Sequence, residues 1–211
     1  MATQHRVEPG DHIARIAHRY GFGDPAAVWD DGANAELRGK RKNPNVLLPG
    51  DVVHVPDRIP KKAPAATGKR HTFMVALPKL WLRIVVRDFG QEPLVRVDCR
   101  LTVDGKTRDL QTGGDGLVEV AIPPDAKGGS LAVPSLGMEI ALGIGHLHPV
   151  DAPSGYRGRL NNLGYFAGRS DDPEDPALRS AIEEFQCDHG LTVDGVCGAG
   201  TQAKLLEVHG C

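Results

Sequence analysis

Aromatic residues are scarce, at 5% of the 211 residues, so no single large aromatic core is expected and the cores should be small and aliphatic. Charge of one sign is lacking as well. The 25 Lys and Arg against 27 Asp and Glu leave a formal net charge of −2. That balance supplies no basic field to recruit nucleic acid or an anionic membrane. No apolar run approaches the roughly 18 residues that a membrane-spanning helix requires. The opening MATQHRVEPGDHIARIAHRYG lacks a basic segment followed by an apolar stretch, so no secretory leader is visible and cytoplasmic synthesis is expected. Cysteine is confined to Cys99, Cys187, Cys197 and Cys211, for which free thiols are the default in a reducing compartment. No HExxH, GxSxG or phosphate-loop pattern occurs. Carboxylate neighbours such as Asp30-Asp31, Asp171-Asp172 and Glu183-Glu184 read as solvated faces, not as the opposed pair that glycoside hydrolysis needs. The expectation is a non-catalytic protein with no cofactor and no metal ion.

What is present is a chain rich in turns, with 26 Gly and 16 Pro. Composition and periodicity divide it into a mixed unit at 1–57, a linker at 58–70, an all-β unit at 71–150 and a helical unit at 151–211. The fold class expected is multidomain α+β. The linker, RIPKKAPAATGKR, has no periodicity and is semi-extended by its prolines.

In the first unit, Arg6-Val7 gives a short strand signal, followed by a Pro-Gly turn and a helix. Asp11 is placed to cap that helix by accepting from its first free amides. Ile13, Ile16, Ala17 and Tyr20 form one apolar face, and Gly21 ends the helix. A second helix is predicted from Asp24, with Pro25 in its first turn. Pro49-Gly50-Asp51 turns the chain into a strand at 52–55. The strand, helix, helix, strand order resembles the LysM domain. The matching residues are Val7, Gly10-Asp11, Ile16-Ala17, Tyr20-Gly21, Asn34, Leu48, Pro49-Gly50-Asp51 and Val55-Pro56. The stretch 35–46, with Arg38, Lys40, Arg41 and Lys42, is longer and more basic than the family pattern. The resemblance implies glycan built on N-acetylglucosamine, held between Gly10, Asp11, His12 and Ile13 on one side and Val46, Leu47 and Leu48 on the other. The same fold also serves as a protein-docking module.

The second unit alternates with period two at 80–87 and 95–103. Asp104-Gly105 is a tight hairpin signal. A strand at 117–122 ends at Pro123-Pro124, and shorter ones follow at 130–133 and 138–142. Six or seven short strands at regular spacing point to a β-sandwich of immunoglobulin-like or prealbumin-like type. Cys99 falls on the apolar side of its strand and reads as core. His146 and His148 are two residues apart and precede Asp151, but nothing nearby completes a zinc set. An ordinary interdomain strand or turn is the favoured reading.

The third unit reads as helices at 155–163, 176–188 and 200–208. Asp175 caps the second, and Leu178, Ile182 and Phe185 recur along it. These helices resemble the peptidoglycan-binding domain that stands beside amidases and other wall enzymes. The matching residues are Leu160, Leu163-Gly164-Tyr165, Phe185-Gln186, Gly190-Leu191, Val193-Asp194-Gly195-Val196, Gly198, Thr201 and Leu205-Leu206. One Asp-Gly turn common in that family is replaced by the acidic break 169–175. The resemblance points to Tyr165, Phe166, Asp194 and Gln202 as glycan-binding residues. Cys187 and Cys197 flank the turn after the second helix and would pair in an oxidising space. A helix of nine residues spans about 13–14 Å, which keeps Cys197 and Cys211 from one zinc site.

Two readings follow. In one, the chain attaches to peptidoglycan through both end units and gains avidity from the pair. In the other, it is similar to accessory proteins of type VI secretion or phage-tail-like contractile injection systems. Its partners would then be spike or effector proteins, and export to a periplasm or target cell would go through that apparatus.

Overall fold

The computed structural model describes residues 2–59, 62, 64–73, 79–88, 90–170 and 172–211 and contains both helices and antiparallel sheets. Of the expected linker, residues 60, 61 and 63 lie outside the described residues, as does Asp171 of the acidic break.

The N-terminal unit is framed by β1 (Thr3–Arg6) and β2 (Val52–Val55). They pair antiparallel, with Thr3 opposite Val55 and Arg6 opposite Val52. Between them lie α1 (Ile13–Arg19), α2 (Ala26–Trp29), a 3-10 turn at Gly32–Asn34 and α3 (Ala35–Arg41). Ile13, Ile16 and Ala17 of α1 pack with Val7, Val28, Leu47, Val53 and Val55, so the periodicity of that face is realised as core. The buried Asn34 amide donates to the carbonyls of Val28 and His54 and accepts from the His54 amide, which ties the helices to β2.

Two expectations for this unit are corrected. The basic stretch at 35–46 is not all loop, because its first half is α3. Its two arginines turn inward, while Lys40 and Lys42 stay exposed: Arg38 donates to the carbonyls of Trp29 and Asp31, and buried Arg41 forms a two-pronged pair with Asp51 at 2.7 and 2.9 Å. These bonds satisfy main-chain groups that an unstructured loop would leave to water. The cap of α1 is also reassigned. His12 Nδ1 accepts from the Arg15 amide at 3.3 Å, while Asp11 turns back to the Glu8 amide at 3.1 Å.

The middle unit holds β3 (Leu80–Val85) and β6 (Leu117–Ile122), paired with each other. A four-stranded sheet carries β4 (Asp98–Val103), β5 (Lys106–Gln111), β7 (Gly128–Val133) and β8 (Met138–Gly143), in the order β5-β4-β7-β8. Inward residues of both sheets share one core, with Val118, Val120 and Ile122 meeting Cys99, Leu101, Val103, Leu131 and Val133. Cys99 is 3% exposed, as its place in the alternation predicted. Asp104 and Gly105 both adopt positive φ, 46° and 76°, which a two-residue hairpin requires. The strand expected from residue 95 begins only at Asp98, because Arg96 sits at φ 54° in a turn.

The C-terminal unit consists of α4 (Pro153–Asn162), α5 (Pro176–Asp188) and α6 (Ala199–His209). Asp175 caps α5 by accepting from the Ala177 amide at 2.9 Å. Leu178, Ala181, Ile182 and Phe185 of α5 pack on Leu160 and Leu205. Arg159, 1% exposed, donates to the carbonyls of His148, Gly155 and Cys211, so one guanidinium ties the unit's entry loop to the end of α6. Among the described residues, no helix is long and apolar enough to cross a membrane.

Candidate functional site

The two stretches expected to line an N-terminal cleft are adjacent. The Ile13 amide donates to the Pro44 carbonyl at 3.0 Å, which brings the loop before α1 to the loop before β2. Their side chains do not face a common opening. Ile13 and Leu47 are core, Gly10 and Val46 are buried, and Leu48 is half-buried.

Asp11 is 4% exposed and fully engaged. It accepts from His5 Nε2 at 2.8 Å, from the Glu8 amide, and from Arg19 at 3.3 Å. Burial alone would raise its pKa, but the bonds from His5 and Glu8 and the charge of Arg19 outweigh it and hold the carboxyl below its usual range. His5 Nε2 gives its proton to Asp11, and His5 Nδ1 lies 3.3 Å from the Tyr20 hydroxyl.

His12 is 1% exposed. With Nδ1 occupied by the cap, its proton sits on Nε2, which is buried and has no partner. Burial, together with the nearby Arg15 charge, pushes its pKa down to about 4 against a small opposing pull from Asp11. His12 is therefore a neutral structural group at neutral pH.

At the far edge of the same unit, a cavity of about 520 Å³ is lined by Tyr20, Phe22, Asp57 and Arg58. The sequence reading placed Tyr20 on the apolar face of α1 and gave Phe22, Asp57 and Arg58 no site role. Two aromatic rings with a charged pair were legible as residue types, but their convergence depends on where the chain leaves β2.

The four residues singled out in the C-terminal unit divide into three that are held and one that is free to be contacted. The Tyr165 hydroxyl donates to Asp188 at 3.0 Å, and its ring meets Phe185 edge-on at 5.5 Å. Burial and the Asp188 carboxylate raise its pKa to about 12, so it remains a phenol. Asp194 closes the turn after α5: its carboxylate accepts from the Val196 amide and from Gln186, which hold its pKa below the usual range. Gln202 donates to the Cys197 carbonyl at 2.9 Å. Asp194 and Gln202 thus flank one turn. Phe166, next to Tyr165, is 80% exposed.

The organiser of that turn is Gln186, a buried amide that the sequence reading matched but gave no role. Its Nε2 lies 2.8 Å from Asp194 Oδ1 and 3.0 Å from both the Val196 carbonyl and Thr201 Oγ1. Its Oε1 accepts from the Asp194 and Gly195 amides at 3.0 Å. The chain between α5 and α6 is built around this one side chain.

All four cysteines are free, the default read for a reducing compartment, and the Cys187–Cys197 pair named for an oxidising space is not formed. Cys187 faces solvent on α5, whereas Cys197 packs on the helical core, where burial raises its thiol to about 11. Cys211 Sγ lies 3.3 Å from His209 Nδ1, and His209 Nε2 lies 3.0 Å from the Asn162 amide. Burial raises this thiol and lowers this imidazole, so both are held neutral and the thiolate needed for nucleophilic attack is disfavoured. His146 approaches Gly10, and His148 bonds Ser154 at 2.7 Å. Among the described residues, no three His, Cys, Asp or Glu side chains converge as a metal site.

No curated protein and no solved structure matches the chain. A family model described as a peptidoglycan binding domain matches residues 156–205, which take in most of α4, all of α5 and most of α6. The helical unit is similar to that domain, and the match supports peptidoglycan binding in general.

Proposed function

We propose that this chain is a non-catalytic recognition protein that attaches to cell-wall peptidoglycan through its C-terminal helical unit, with the LysM-like N-terminal unit as a second contact. The observation that carries the reading is the family match over a folded three-helix unit whose expected contact residues include the exposed Phe166. A flat, exposed aromatic next to polar groups suits sugar rings, since its face takes apolar C–H groups while neighbours bond hydroxyls. Two weak contacts on one chain reinforce each other when both reach the same polymer.

Co-sedimentation with purified sacculi tests this reading. The full chain is expected in the pellet, and the Phe166→Ala variant is expected mostly in the supernatant. A parent chain that stays in the supernatant at every concentration removes wall attachment. Release of reducing sugar or new amine from the sacculi would overturn the non-catalytic assignment.

A second reading has one observation in its favour. The cleft residues Gly10 to Ile13 are buried, with Gly10 and His12 against the chain's own backbone at Gly145, so this lip is closed to glycan in the folded chain. In that reading the chain is an adaptor of a contractile injection system, of type VI or phage-tail-like kind, binding spike or effector proteins. Capture of such a component by the full chain, without sedimentation on sacculi, would favour it.

A further inference from the structure

Among the described residues, three sets of contacts join the N-terminal unit to the rest of the chain. Gly10 and Gly145, at φ +87° and +79°, meet backbone to backbone. A Cβ on Gly145 would stand 2.5 Å from the Gly10 carbonyl oxygen and 3.1 Å from His12 Cδ2. Arg15 reaches across from α1. Its Nη2 donates to the Ala126 and Asp125 carbonyls, at 2.5 and 3.4 Å, while Nη1 donates back to the Gly10 carbonyl. Arg41, already paired with Asp51, has Nη1 3.8 Å from Asp151. Ala14 and Val46 are buried as well, although neither belongs to the apolar core of the N-terminal unit.

We propose that the β unit, through its turn at 144–146 whose Ile144 is anchored in that unit's core, is an intramolecular cover over the Gly10–His12 edge of the lip, latched by Arg15, so that this edge meets an external ligand only after the two units part. The inference deepens the glycan reading of the N-terminal cleft and rests on it for the identity of the ligand.

The joint is suited to opening. What meets across it at Gly10 and Gly145 is backbone. The Arg15 fork exchanges its two carbonyl partners for water when the units part, so the net loss is small. Both glycines are required: a side chain at either position would enter space that the opposing strand of backbone or the His146 ring occupies. A ligand for the lip therefore competes with the closed state, and its apparent affinity is reduced by the open fraction.

The test uses the full chain and two variants. Arg15→Lys keeps a positive helical residue but loses the fork. Gly145→Asn keeps the left-handed turn, which Asn tolerates, but places a Cβ against the Gly10 carbonyl. Small-angle scattering reads opening, and NMR titration with a β-1,4-linked N-acetylglucosamine tetramer reads binding. Both variants should show a larger radius of gyration than the parent, with unchanged far-UV dichroism, and should bind the tetramer about fivefold or more tightly. Unchanged scattering in both variants overturns the cover. Opening without any gain over a parent that already binds overturns its gating role. Opening with no tetramer bound by any of the three chains leaves the cover standing and removes the glycan reading of this cleft.

Discussion

Replacing Gln186 is the most searching perturbation of the C-terminal unit. Its carboxamide has two hydrogens for three nearby acceptors and one oxygen for two amides, so about four bonds are held at a time. Each is worth ~0.5–1.5 kcal/mol net, with the bond to the Asp194 carboxylate at the upper end. The exposed turn atoms recover part of this from water in Gln186→Ala, while buried Thr201 does not. The truncation also leaves a small void. A loss of ~3 kcal/mol is expected, which for a unit of this size is a fall of roughly 10–20 °C in its midpoint. Hydrogen exchange at α5 and α6 in the full chain reads that unit alone, and protection there should drop while β4 and β6 are unaffected. Gln186→Glu sharpens the test. It removes both donors and sets a carboxylate against Asp194, so the new group's pKa rises on folding. A group with a raised folded pKa stabilises more as pH falls, so this variant should approach the parent near pH 4 and diverge from it at pH 7. A loss below ~1 kcal/mol in Gln186→Ala, or no pH dependence in Gln186→Glu, would refute the assignment of Gln186 as organiser.

The buried neutral His12 gives a second prediction. Its folded pKa of about 4 lies below the ordinary 6.5, so stability is full above pH 6.5 and lost as pH falls toward 4. The loss amounts to ~3 kcal/mol at 1.36 kcal/mol per unit, and His12→Asn, which can still cap α1, should flatten the curve measured by urea titration. Phe166→Ala should weaken sacculus binding by about tenfold and leave thermal stability within ~0.5 kcal/mol, because the ring is solvent-exposed. In thiol labelling of the native chain, exposed Cys187 should react first and Cys99 only on unfolding. Mass spectrometry of the labelled peptides gives the order, and early Cys99 modification would contradict its place in the core.

Strong periodicity made much of the fold legible. The ranges 176–188 and 117–122 were read to the residue, because a capped helix and a bounded apolar strand each carry two agreeing signals. The strand β5, by contrast, is nearly all polar and exposed, so only the Asp104-Gly105 hairpin implied it. α3 was hidden because the stretch 35–46 read only as longer and more basic than the family pattern, whereas Arg38 and Arg41 reach inward to carbonyls and to Asp51. Site residues were less legible than elements. Asp11, Asp194 and Gln202 are polar groups near turns, and sequence does not say whether such a group points to a ligand or, as here, to its own backbone. Phe166 stood out only once its exposure was known.

The pairing of β1 with β2 also has a mechanical consequence. Thr3 faces Val55, so the unit's two outer ends meet at the same end of the ladder. Tension applied through those ends loads the interstrand bonds one after another, as in unzipping, and not all together as in shear. The ribbon would open from Thr3 and Val55 toward Arg6 and Val52, one pair at a time, and release the helices between its strands into the pulled length.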